Sequence, residues 1–334
     1  MCGNLGIAGN GILRQDLWAM KELAYVLSPV RGMDGFGVYE ATAGKDGIED
    51  QRLYKSRLDA FMAINLAERE KKPVFDNIHS NLFIAHVRWA TIGKVTEENA
   101  HPFETKKYVG AHNGTLKDFK YSTKDGKTDS ELMFEDMDER GILEVLSTLN
   151  VGSAYAVVMT EKETGKLYFA RNSMRSLGFA LHKERDVLYW SSETDALRWI
   201  LARNNVKTED LIFGYFRPDK LLACHPDDIR KGQEKMWTIQ DITWKSSTPV
   251  NWSFGRDKDK KKEKDKPIAQ VKKDIPGVVL GNEMVFKTQC IMCKKDMNLF
   301  DMHKGYRISK NDWECEECLE EITRMAEVNK PLLM

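Results

Sequence analysis

At 334 residues the chain has room for one sizeable core and a small extra module, since single domains run to about 100–200 residues and layered α/β ones to about 250. Lys+Arg and Asp+Glu each total 51, so no net charge draws the molecule onto nucleic acid or an anionic membrane, and binding has to come from local sites. No apolar run approaches the ~20 residues needed to cross a bilayer, and Met1-Cys2-Gly3-Asn4 lacks the basic and apolar segments of a secretory signal, which leads us to expect a cytoplasmic protein.

The first chemical feature is Cys2. Removal of Met1 would leave a thiol and a free α-amine on one residue, a nucleophile that carries its own base: a thiol titrates near about 8.5 and an α-amine near about 7.7–8.0. Alone, a thiol here is ordinarily a buried or incidental one. β-rich runs follow at 4–8 and 37–41, with helical three- and four-residue apolar spacing over 15–27 and 57–71. A strongly apolar strand over 82–89 ends in His86-Val87-Arg88-Trp89-Ala90-Thr91-Ile92-Gly93. The guanidinium of Arg88 has the paired donors to fork a carboxylate, or else makes a salt bridge inside the fold. The Trp89 ring reads as core.

The strand at 108–111 runs into His112-Asn113-Gly114. Asn-Gly is ordinarily a turn. With a nucleophile opposite, the Asn113 amide and the Gly114 N–H could instead form an oxyanion hole. Thr128-Asp129-Ser130-Glu131 fits a capping box opening a helix over 130–139, in which Asp129 is a first-turn acid or the partner of a substrate ammonium. Strands over 154–160, 167–170, 178–181 and 187–191 and a helix over 194–202 complete a pattern of many short strands and few helices, which suggests sheets covered by helices. Cys224 reads as a strand thiol.

A mixed-charge run over 256–266 has no apolar residue and reads as an exposed linker, or as an exposed charged helix. We therefore place a first domain at 1–250, a linker at 251–283 and a module at 284–334. Within that module, Cys290 and Cys293, then Cys315 and Cys318 after twenty-one intervening residues, supply four thiolates in two knuckles suited to structural Zn²⁺. The competing reading is free or redox-active thiols, and His303 is a possible substitute ligand. Lys294, Lys295, Lys304, Arg307 and Lys310 with Tyr306 and Trp313 could suit single-stranded nucleic acid, but Glu314, Glu316, Glu317, Glu320 and Glu321 argue for a protein-docking zinc ribbon instead.

Met1-Cys2-Gly3, the segment 31–37 (RGMDGFG), Arg88-Trp89-Ala90-Thr91, Asn99-Ala100-His101-Pro102, His112-Asn113-Gly114 and Thr128-Asp129-Ser130-Glu131 occur in the order seen in class II glutamine amidotransferases. Over roughly residues 2–200 the chain resembles the glutaminase domains of glucosamine-6-phosphate synthase and amidophosphoribosyltransferase, and more distantly that of asparagine synthetase. Arg171-Asn172 and the segment 191–197 are similar too. The resemblance implies an α+β fold, the four-layer αββα N-terminal nucleophile hydrolase sandwich, here with a small four-cysteine zinc-ribbon-like module behind it. It also implies Cys2 as nucleophile, Asn113 and Gly114 as oxyanion hole, Arg88 and Asp129 as anchors of glutamine's α-groups, and Thr91, Trp89 and Gly35 around the pocket.

Ile92 replaces the histidine of the amino-sugar branch, and Gly35 stands where several relatives carry serine. Beyond residue 200 nothing resembles a synthetase, so the expected activity is glutamine hydrolysis with ammonia supplied to a separate synthetase or transferase subunit. No cofactor is expected for that reaction. Two other readings stay open: an N-terminal nucleophile amidase acting on a different amide, and a non-catalytic scaffold binding protein or nucleic acid.

Overall fold

The computed structural model describes residues 2–122, 126–232 and 235–245, together with four two-residue strands between residues 288 and 314. The chain divides into two units, Met1–Asn251 and Trp252–Met334. The first unit runs β1 (Gly3–Ala8), α1 (Arg14–Arg31), β2 (Phe36–Gly44), β3 (Gly47–Ser56), α2 (Ala60–Arg69), β4 (Leu82–Val87), β5 (Phe103–Glu104), β6 (Tyr108–Thr115), α3 (Asp129–Arg140), α4 (Ile142–Ser147), β7 (Ala154–Glu161), β8 (Leu167–Arg171), β9 (Gly178–His182), β10 (Leu188–Ser191), α5 (Thr194–Arg203), β11 (Leu211–Tyr215), β12 (Lys220–Cys224) and β13 (Thr238–Asp241). Among the described residues no helix is long and apolar enough to cross a membrane.

Alternation along the strands sorts the side chains into three apolar layers. Leu5 and Ile7 of β1, Phe83, Ala85 and Val87 of β4 and Tyr189 of β10 pack with Leu17, Leu23 and Leu27 of α1, Ile64 of α2 and Leu197 of α5. Their strand neighbours Ala8, Leu82, Ile84, Leu188 and Trp190 point the other way and meet Val109, Ala111, Ala156, Val158 and Phe169 of the second sheet. That sheet's outer residues Tyr155, Val157 and Met159 pack under Met133, Phe134, Met137, Val145 and Leu146 of α3 and α4. The layers thus run helices, sheet, sheet, helices. Each fully buried aliphatic or aromatic side chain contributes roughly 1.5–3 kcal/mol.

The first sheet has the order β11-β9-β10-β1-β4-β2-β3 and the second β13-β12-β8-β7-β6-β5. Every pairing recorded is antiparallel. β1 lies at the centre of the first sheet, with Gly3 opposite Val87, Asn4 opposite His86 and Leu5 opposite Ser191. This register places the start of the chain beside the end of β4 and the end of β10. On the far side of β4, Val87 also faces Phe36, the first residue of β2.

In the second unit, β14 (Thr288–Gln289) pairs with β15 (Asp296–Met297), and β16 (Tyr306–Arg307) with β17 (Trp313–Glu314). The linker expected at 251–283 and the four cysteines Cys290, Cys293, Cys315 and Cys318 lie outside the described residues.

Candidate active site

Cys2 sits one residue before β1, half-buried, where the register sets it beside Arg88. Its Sγ accepts the Trp89 N–H at 3.3 Å and lies 3.4 Å from the Trp89 carbonyl, to which the thiol donates. Burial pushes the Cys2 thiol up from its usual range; the Trp89 N–H and the Arg88 guanidinium pull it back and Asp129 pushes it up further. Gly3 is required by close packing, since a Cβ there would come within 3.1 Å of both Arg31 and Val87.

Arg88 leaves β4 buried, with its main chain pinned from both sides: its N–H donates to Gly35 O at 2.8 Å and its carbonyl accepts the Asp34 N–H at 2.9 Å. Asp34 in turn accepts the Ala90 N–H at 2.9 Å. The guanidinium donates to the carbonyls of Ile92 at 2.9 Å and Lys94 at 3.1 Å, so the 92–94 turn holds it in place with donors left over. Among the described residues no carboxylate makes an ion pair with it, which sets aside the internal salt bridge as the reason for this arginine. Cys2, Asp34 and Asp129 all act on its charge.

Asp129, buried at the first turn of α3, is anchored by the Leu116 N–H at 2.9 Å and the Ser130 N–H at 2.9 Å. Thr128 caps that helix by accepting the Glu131 N–H at 3.2 Å, the donor the sequence pattern assigns to it. Asn113 is buried near the end of β6, and its Nδ2 donates to Ser192 Oγ at 3.3 Å while keeping a second hydrogen. The same Ser192 Oγ accepts the Asn4 N–H at 2.9 Å, and Asn4 Nδ2 donates to Ala156 O at 2.9 Å, which stitches the first sheet to the second. Gly114 has no room for a side chain, because a Cβ there would lie 1.9 Å from Ala154 O.

The structure therefore brings Cys2, Arg88, Asn113, Gly114 and Asp129 to one end of the two sheets. Gly35 is buried beside Arg88, and Thr91 is exposed on the turn that follows it. Trp89 differs from its reading as core: it is 49% exposed, because β4 ends at Val87 and the chain turns outward there. The sequence motifs give no part to Asn4, Arg175 or Ser176. Asn4 carried a signal all the same, as the polar member of a strand that is buried throughout. A cavity of 460 Å³ lined by Gly93, Lys94, Thr96, Asn99, Lys127 and Glu131 among others borders both the turn that holds Arg88 and the first turn of α3.

Behind the site lie three buried imidazoles. The rings of His86 and His101 are 4.2 Å apart, and His112 Nδ1 is 2.8 Å from Ser130 Oγ. The nitrogens of His86 and His101 have no hydrogen-bond partner among the described residues. Burial drives His86 down to about 3 and His101 and His112 below their usual range, so all three are neutral near pH 7.

Residues 71–151 match the family model for class-II glutamine amidotransferases. A stretch of 120 residues is 36% identical to the glutamine–fructose-6-phosphate aminotransferase (isomerizing) of Bartonella quintana, covering 36% of this chain and 17% of that protein. Its namesake in Campylobacter jejuni is 28% identical over 249 residues, covering 69% of this chain and 38% of that one. The chain thus spans less than two-fifths of the length of these curated relatives. Among solved structures, the glutamine phosphoribosylpyrophosphate amidotransferase of B. subtilis, complexed with ADP and GMP, shares the fold at 17% identity and a TM-score of 0.50, covering 72% of this chain and 49% of that one. The family match takes in Arg88, just after β4, and Asn113 on β6, so what the chain shows over residues 71–151 is a class II glutamine amidotransferase domain.

Proposed function

We propose that the chain hydrolyses glutamine to glutamate and ammonia through a γ-glutamyl thioester on Cys2, and that the ammonia is passed to a separate synthetase or transferase subunit. The observation that carries this reading is the pair of buried, opposite charges flanking the sulfur: Arg88, without a carboxylate partner among the described residues, and Asp129, held by backbone N–H groups. A free amino acid presents the complementary pair, a carboxylate for the Arg88 fork and an ammonium for Asp129.

With Met1 removed, the α-amine of Cys2 takes the thiol proton and the sulfur attacks the glutamine Cδ carbonyl. The oxyanion forms against Asn113 Nδ2 and the Gly114 N–H. Collapse breaks the Cδ–N bond as the ammonium returns its proton to the departing ammonia. Water then attacks the thioester, giving up a proton to the same amine, and glutamate leaves with the thiol restored. Raised by burial, the thiol is protonated at rest, so the proton transfer belongs to each turnover.

The test is purified protein, checked by mass spectrometry for loss of Met1, assayed for glutamate release from glutamine and for ammonia release from asparagine and from γ-glutamyl amides without an α-amino acid head. Glutamine should be preferred, and Cys2→Ala should abolish turnover while leaving the melting temperature unchanged. Retained Met1, or equal turnover of headless amides, would remove the basis for this function.

For the second unit we propose structural Zn²⁺ held by Cys290, Cys293, Cys315 and Cys318, with protein docking as its role. The support is in the chain order: Cys290 directly follows β14 and Cys315 directly follows β17, so each Cys-x-x-Cys pair starts where a strand of a two-stranded hairpin stops. Four thiolates in two Cys-x-x-Cys pairs suit tetrahedral zinc.

A further inference from the structure

The start of β1 and the ends of β6 and β10 meet at one hydroxyl, that of Ser192. Ser192 follows directly on β10, is 1% exposed and is held by its own main chain: its N–H donates to the Asn4 carbonyl at 2.9 Å, and its carbonyl accepts Ser176 Oγ at 2.7 Å and the Arg31 guanidinium at 3.5 Å. Bonds on both sides of the residue fix where its Oγ stands.

That oxygen accepts twice, from the Asn4 N–H at 2.9 Å and from Asn113 Nδ2 at 3.3 Å. A hydroxyl oxygen has two lone pairs, and here each has a donor. Both donors are buried, so neither has water to turn to if the oxygen is removed. For Asn113 the bond also settles orientation. The torsion that turns a carboxamide is soft and roughly two-fold, so an untethered amide presents oxygen about as readily as nitrogen, and oxygen would repel a developing negative charge. Because the amide is planar, placing one Nδ2 hydrogen on Ser192 fixes the direction of the other.

We propose that Ser192 is a positioning residue for the reaction at Cys2: its hydroxyl holds the Asn113 carboxamide with nitrogen, not oxygen, toward the reacting carbonyl. This rests on the glutaminase reading, in which Asn113 donates to the oxyanion. The serine then acts through Asn113 and on the transition state, because the charge it prepares for forms only there.

The experiment is a double-mutant cycle on glutamine hydrolysis by the full-length protein, with kcat and KM measured for the wild type, Ser192→Ala, Asn113→Ala and the double variant, and folding checked by circular dichroism. Ser192→Ala should lower kcat about tenfold or more with KM within about twofold, and Asn113→Ala should lower kcat about a hundredfold or more. In the double variant the two losses should not multiply, and its kcat should match that of Asn113→Ala within about threefold. If Ser192→Ala folds poorly because the Asn4 N–H loses its partner, Ser192→Cys, of similar size and with a weaker acceptor, takes its place in the cycle. Losses that multiply would overturn the proposal by tracing the effect through Asn4 and β1 instead, and so would a raised KM at unchanged kcat. A wild type that fails to hydrolyse glutamine sinks the glutaminase reading and this assignment with it, whereas an active wild type with multiplied losses removes only the part given to the serine.

Discussion

The guanidinium beside Cys2 is held by its own donors, and that decides what a substitution there should do. Arg88 is gripped through its own end groups by the carbonyls of Ile92 and Lys94, which fixes the plane of the fork. Lysine keeps the charge but offers a single rotatable point in place of two parallel donors. Arg88→Lys is expected to raise KM for glutamine about ten- to a hundredfold with a smaller change in kcat, measured by initial rates, because it weakens binding of ground and transition states alike. A fall in kcat at unchanged KM would mean that the guanidinium acts on the reacting centre rather than on the α-carboxylate.

At the scale of elements, the site depends on strand ends meeting in register. Gly114 pairs with Tyr155 across β6 and β7, and a methyl at Gly114 would lie 1.9 Å from Ala154 O, a main-chain atom that cannot move without parting the strands. Gly114→Ala should lower the stability of the first unit by about 2 kcal/mol or more, visible as a lower denaturant midpoint, and remove activity together with it. Thr128→Ala removes the cap whose Oγ accepts the Glu131 N–H and should cost about 1 kcal/mol. Because Asp129 is the next residue, KM should rise as the first turn of α3 loosens, and an unchanged KM at reduced stability would separate the cap from the site.

What could be read before the fold was known follows from which elements bury a face. Strands β1, β4, β7, β9 and β10 are apolar along most of their length, and the helices α1, α2, α3 and α5 each keep a buried stripe, so their periods stand out in the sequence. β3, at the edge of the first sheet, reads Gly47–Ser56 with mostly exposed or half-exposed side chains, and β13 is exposed throughout, so neither carries an alternation to detect. Helix α1 continues through Pro29 to Arg31, four residues beyond the end of its clear periodicity. The site residues were legible as motifs because each stands where a buried strand or helix begins or ends. Asn4 and Ser192 were not, because only the meeting of the two sheets joins them to Asn113 and Ala156.

For the whole first unit, the three histidines behind the site set an acid limit on stability. His86 lies on β4, His101 precedes Pro102, and His112 lies on β6. Arg88, Lys55 and Arg175 add positive charge nearby, and Asp129 on α3 is the negative group acting on His112. All three folded pKa values lie below the unfolded value of about 6.5, so the unfolded chain binds protons that the folded one refuses. Their contribution is complete above pH ~6.5 and is lost as the pH falls toward the folded values, about 3 for His86. For His86 the loss is on the order of 1 kcal/mol per pH unit over that interval. Denaturant midpoints measured between about pH 7.5 and 5.0, above the range where most carboxylates titrate, should fall with falling pH. His86→Asn should make that slope shallower whatever it does to stability at the alkaline end, since it deletes one refused proton. A slope of the same steepness in the variant would place the acid sensitivity elsewhere.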